Sequence, residues 1–181
     1  MLVLFCDGST KMKQQCVVTS CVVTLVNKDH IIKEVLYCAK KSYFNHYNDS
    51  IHELLAIIDA LQVYDILQTN LSAMIVSDSM EMIKTINTYR SEGLWYGKNN
   101  PHNNDLKILL DRYTKEAIQF QWQPRTTLGL NVTDFLNKEI QYWTNAKDKP
   151  FLTSQMKKLL KKDYRYNISS KNNSISICED R

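Results

Sequence analysis

The sequence predicts an α/β protein with a mixed five-stranded sheet, element order β-β-β-α-β-α-α-β-α, and helices on both faces. Three observations carry this. The first 39 residues hold three apolar or β-branched runs joined by short links. After residue 50 the period changes, and helical stripes alternate with short apolar runs. Four carboxylates, Asp7, Glu53, Asp78 and Asp134, recur where strand-like runs end or helical stretches begin.

The elements follow in order. Residues 1–9 read as a buried strand and turn, with Asp7 closing the apolar run. Residues 16–26 are rich in valine and threonine and read as a second strand, and residues 30–39 as a third. Short links make these three an antiparallel meander. Ser50-x-x-Glu53 is a capping box that starts a helix carrying Leu54, Leu55, Ile57, Ile58, Leu61 and Ile66 as its apolar stripe. A fourth strand spans 73–77 and ends at Asp78. Residues 80–89 form a second helix, 105–116 a third, 117–122 the fifth strand and 131–143 the last helix. Residues 99–104 are rich in asparagine and form a turn-rich link.

Composition narrows the class. With 181 residues and 44% apolar content the chain supports one domain, assigned to residues 1–149, and a C-terminal extension over 150–181. No run approaches the roughly 20 apolar residues that span a bilayer, and the opening run lacks a basic leader, so a soluble intracellular protein in the cytoplasm is expected. Cys6, Cys16, Cys21, Cys38 and Cys178 are odd in number with no C-x-x-C pair, which predicts free thiols. The formal charge of +4 lies wholly in the extension, since residues 1–150 carry 16 basic and 16 acidic side chains. A basic tail suits a polyanion, and equally a solvated terminus. Its stretch 167–176, mostly serine, asparagine and lysine, reads as flexible.

Two neighbouring strands ending in Asp7 and Asp78, with helices beside them, bring the acids to one end of a sheet. Clustered carboxylates raise one another's pKa, and a divalent cation with oxygen ligands resolves the repulsion. Taken singly, Glu53, Asp78 and Asp134 are each explained by helix capping. Asp7 is not, because a carboxylate closing an apolar strand needs partners. His52 is expected on the surface, since adjacent helical residues point apart. His30, His46 and His102 lack ligand spacing. Trp95 and Tyr96 either stack on nucleic acid or pack over their loop.

In order and in motif these pieces resemble the type 1 ribonuclease H family. The likeness lies in Asp7-Gly8-Ser9 and in the helix His52-Glu53-Leu54-Leu55-Ala56 with Ala60-Leu61. It continues in Ser77-Asp78-Ser79, in Asn104-Asp105-Leu106, and in Phe120-Gln121-Trp122 followed by Asn131 to Leu136. The resemblance implies a metal-dependent endonuclease that hydrolyses the RNA strand of RNA–DNA hybrids with two Mg²⁺ or Mn²⁺ ions. Asp7 would bridge the ions, Glu53 and Asp78 would complete one site, and Asp134 the other. Gly8, Ser9 and Glu53 would read the 2′-hydroxyl, and Ser79 and Arg125 would meet phosphates. A monomer with an RNA–DNA hybrid as partner, and no membrane, is expected. The chain departs from the family in three places. Lys11 to Gln15 replaces a glycine-rich turn. Pro124-Arg125 stands where cellular members carry a loop histidine. Between Tyr89 and Asn104 only Arg90 and Lys98 are cationic, so the family's basic protrusion is muted. Two other readings remain: a DNA-acting nuclease on the same fold, of resolvase or integrase type, and an inactive nucleic-acid-binding relative.

Overall fold

The computed structural model describes residues 1–26, 32–44, 51–126, 130, 133, 167–171 and 174–178. Strand β1 (Leu2–Lys11) is the axis of the sheet. It pairs antiparallel with β2 (Cys16–Val26), which pairs antiparallel with β3 (Ile32–Phe44). On its other side β1 runs parallel to β4 (Ala73–Ser77), which runs parallel to β5 (Ile118–Trp122). The expected five strands are present, in the mixed arrangement their order predicts.

Two further strands, β6 (Asn167–Lys171) and β7 (Ser174–Cys178), form a hairpin that extends the sheet from β3. The order among the described residues is β5-β4-β1-β2-β3-β7-β6. The stretch 167–176, which reads as flexible from composition, contributes described strand residues at 167–171 and 174–176. The segment lacks apolar bulk, but backbone pairing along a sheet edge needs little of it. Alternating Ile168, Ile175 and Ile177 among serines is the strand signal that composition hid.

β1 is buried on both faces, which explains its unbroken apolar run. Leu2, Leu4 and Cys6 join the main core with Val17, Cys21 and Val23 of β2. Helix α1 (His52–Leu67) covers this face with Leu54, Leu55, Ile57 and Leu61. Each such side chain contributes about 1.5–3 kcal/mol on burial. Ile66, placed in the apolar stripe from sequence, is 70% exposed. Helix α2 (Met80–Glu92) and helix α3 (Asn103–Asp111) add Ile83, Ile86, Leu106, Leu109 and Leu110 to the same core. Val3 and Phe5 face the other way, onto Val76 and Leu130. Leu130 and Thr133 are helical, and the Ser20 hydroxyl donates to the Thr133 carbonyl at 2.9 Å. Helical residues thus lie on both faces. The rest of the last predicted helix, Asp134 included, falls outside the described residues.

Several boundaries move. β1 does not turn after Asp7 but continues to Lys11, because Gly8, Ser9 and Thr10 stay paired with Thr19, Val18 and Val17. The turn is a short 3-10 segment, Met12–Gln14, closed by Gln15 in the left-handed region at φ 49°. Among the described residues no helix is long and apolar enough to cross a membrane.

Candidate metal centre

The parallel pairing of β1 with β4 sets the site. Phe5 lies opposite Val76, so Asp7 and Asp78, each two residues further on, leave the shared register at the same end of the sheet. Glu53 arrives from the first turn of α1. One ligand atom from each of Asp7, Glu53 and Asp78 can be chosen so that all three lie within 4.8 Å of one another. These acids are 71 residues apart at the extremes in sequence, and only the fold unites them.

Close approach of α1 depends on Gly8. A Cβ added there would lie 2.2 Å from the His52 carbonyl oxygen. The glycine is needed because backbone packs on backbone, which carries Glu53 in over the sheet. Ser50, the other half of the expected capping box, lies outside the described residues. The helix begins at His52 with Ile51 as its N-cap and no side-chain cap bond. The Glu53 carboxylate faces Ser77, whose hydroxyl lies 3.5 Å from Oε2.

Asp7 is buried, at 2% exposure. A buried carboxylate costs several kcal/mol unless compensated. Arg125 supplies part of the compensation. Its Nε donates to Asp78 Oδ2 at 2.6 Å and its Nη2 lies 3.6 Å from Asp7 Oδ1. Asp78 Oδ1 is buried without a hydrogen-bond partner among the described residues. Behind the acids, burial first and then the negative charge of Cys21, Glu53, Asp7 and Asp78 push the Cys6 thiol well above its ordinary pKa. Its S–H points at the Val76 carbonyl, 3.6 Å away.

Three residues that the sequence did not assign to the site belong to its surroundings. His52 is not a surface residue: Nδ1 lies 3.2 Å from Thr10 Oγ1 and Nε2 lies 3.4 Å from Glu53 Oε1. The extension of β1 to Thr10 gives the ring a partner that a helix-only reading lacks. Trp122 donates its indole N–H to the Asp78 carbonyl at 3.0 Å. The signal for this was its place at the end of β5 in register with Ser77. Ser77 also accepts the Ser79 backbone N–H at 3.1 Å.

The other predicted residues are placed as follows. Ser79 is the N-cap of α2, its hydroxyl accepting from Met82 N–H at 3.4 Å, so it and not Asp78 caps that helix. Ser9 is partly exposed on β1 beyond the acids. Arg90 is turned away, donating to the carbonyls of Ile118 and Tyr113 and lying over the Phe120 ring. Trp95 is packed edge-on to Tyr89, with the Lys107 ammonium 5.3 Å from its ring centroid. Tyr96 is exposed. A cleft of about 460 Å³ runs from His52 and Glu53 past Ser79 to Trp95, Lys98 and Asn100. His102 pairs with Asp105 at the start of α3, while His30 and His46 fall outside the described residues.

The donor set suits a hard divalent cation. Among the described residues three carboxylates converge, one buried oxygen of Asp78 lacks a partner, and Cys6 is held as a thiol.

No protein-family model matches this sequence, and no curated protein does. Solved structures do. The N-terminal RNase H domain of Rv2228c from Mycobacterium tuberculosis aligns with TM-score 0.56 and 20% identity, over 76% of this chain and 91% of that one. LC11-RNase H1, solved in complex with an RNA/DNA hybrid, gives 0.56 and 13%, over 77% and 95%. RNase H1 from the halophilic archaeon Halobacterium salinarum NRC-1 gives 0.55 and 15%, over 78% and 97%. The mixed sheet, the parallel β1–β4 pair and the shared extent of these alignments agree: the chain has the ribonuclease H-like fold seen in the type 1 ribonucleases H.

Proposed function

We propose that this protein is a metal-dependent endonuclease that hydrolyses the RNA strand of RNA–DNA hybrids. The observation that carries this is the meeting of Asp7, Glu53 and Asp78 at the shared end of β1 and β4 on this fold. One of the similar structures was solved on an RNA/DNA hybrid, which supports the choice of substrate.

Asp7, Glu53 and Asp78 would hold one Mg²⁺ or Mn²⁺, and Asp134 would join Asp7 at a second. Bound there, the ions would activate water and stabilise the departing oxygen of the phosphodiester. The chain's own residues set the stage. Gly8 admits α1 so that Glu53 reaches the cluster. Trp122 and Ser79 fix the backbone around Asp78. Ser77 and His52 orient Glu53 from two sides. Gly8 and Ser9, on the strand beyond Asp7, and Glu53 would meet the 2′-hydroxyl, the group that marks RNA. The Ser79 hydroxyl keeps its own proton for a phosphate oxygen while accepting from Met82. Arg125 is the other phosphate partner.

The test offers Mg²⁺ or Mn²⁺ with end-labelled hybrid, duplex DNA, duplex RNA and single strands, to the native protein and to Asp78→Asn. Hybrid alone should be cut, and the variant should lose at least about 100-fold in rate. Cleavage of duplex DNA would replace this reading with a DNA-acting nuclease. Tight hybrid binding with no cleavage would make the protein a binding relative.

A further inference from the structure

We propose that Arg125 occupies the cation position of the acidic cluster in the metal-free protein, and that a divalent ion enters only by displacing it. This rests on the metal-centre reading above and adds a built-in competitor to it.

The geometry is direct. Arg125 bonds one oxygen of Asp78 at 2.6 Å and approaches an oxygen of Asp7 at 3.6 Å. The two carboxylates are nearly buried, at 3% and 12% side-chain exposure, whereas Arg125 is 55% exposed. A guanidinium has five donors, no acceptor and a permanent charge, so it cannot share a metal's ligand sphere. Asp78 Oδ2 is drawn to the arginine, so a metal taking this oxygen would have to sit against the guanidinium. A divalent ion among the carboxylates would also lie within a few ångströms of the guanidinium, where like charges repel.

The arginine's backbone is tethered beside the cluster. Gln123 N–H donates to the Ser77 carbonyl at 3.1 Å, and Trp122 holds the Asp78 carbonyl from the preceding residue. Pro124 favours an extended Gln123. The exposed side chain can therefore swing out while its anchor stays. Arg125 would serve two states: it steadies Asp7 and Asp78 without metal, and once displaced it stands beside the cluster, within reach of a phosphate. The cost is a higher metal concentration for loading, because part of the site is always filled from within.

The experiment measures Mn²⁺ binding to the full chain by calorimetry and by paramagnetic resonance of free Mn²⁺. It compares the native protein with Arg125→Gln and Arg125→Lys, and takes Asp78→Asn as the site control. Arg125→Gln should bind Mn²⁺ about tenfold more tightly, and Arg125→Lys should fall between. Metal-free Arg125→Gln should melt below the native protein, and saturating Mn²⁺ should close that gap. Unchanged or weaker Mn²⁺ affinity in Arg125→Gln overturns this inference alone, provided the native protein binds Mn²⁺ better than Asp78→Asn. If the native protein binds no better than Asp78→Asn, the metal-centre reading falls and this inference with it.

Discussion

Gly8 shows how one missing side chain can carry a site. Its Cα lies against the His52 carbonyl with no space for a methyl group. Gly8→Ala must push α1 away from β1, and Glu53 moves with the helix. The expected loss is about 1–3 kcal/mol of stability, read by thermal melting, together with weaker Mn²⁺ binding. A Gly8→Ala protein that melts and binds Mn²⁺ like the native one would remove this account of the glycine. Cys6 is the opposite kind of residue: chemically capable but silenced. Burial and the nearby acids hold it as a thiol, and the thiolate is the reactive form. It should resist alkylation by iodoacetamide at pH 8 until the protein is unfolded, as mass spectrometry of the labelled peptide would reveal.

At the scale of elements, α1 is pinned to the sheet by more than apolar packing. Asp59, buried on α1, accepts hydrogen bonds from Thr19 of β2 and from Tyr43 of β3. The Tyr43 phenol is pushed above its ordinary value of 10.0 by burial, then by the charge and hydrogen bond of Asp59. A raised phenol pKa means that the fold favours the protonated form. Its contribution is complete below pH 10 and is lost as the pH rises beyond that. Tyr43→Phe should lower stability by about 1–3 kcal/mol at neutral pH. It should also flatten the decline above pH 10, as measured by denaturant unfolding across that range. The strand pair β1–β4 and helix α1 together place the three acids, so loosening this pin should disturb the acidic cluster as well.

At the scale of the molecule, charge and edge protection meet in the C-terminal extension. Residues 151–181 carry seven of the 23 basic side chains against three acidic ones. The described α2–α3 region offers little cationic grip, since Arg90 is spent on backbone carbonyls. Removing residues 151–181 should therefore weaken hybrid binding and reduce the slope of affinity against salt, while the position of cleavage stays the same. Filter binding across a salt series would show this, and an unchanged slope would rule the extension out as a phosphate grip. The same truncation removes the hairpin paired to β3 and bares a strand edge, so light scattering should detect self-association.

How much of this was legible in the sequence varies by element and by residue. β2 and β4 were readable to the residue, because β-branched and apolar runs between turn residues are local signals. The candidate acids were readable as a set through their motif order, and three of them meet in space. The hairpin β6–β7 was not, because its pairing energy lies in the backbone and not in side-chain composition. Nor were the roles of His52, Trp122 and Arg125. Each depends on a partner brought in by the tertiary arrangement, 42, 44 and 47 residues away in sequence. Chain order alone thus determined the kind of fold and singled out its acids, since both are written in residue type and period. Only the folded structure decided that Arg125 pairs with Asp7 and Asp78 and that Gly8 lets α1 approach, since through-space distance has no local signature in a sequence.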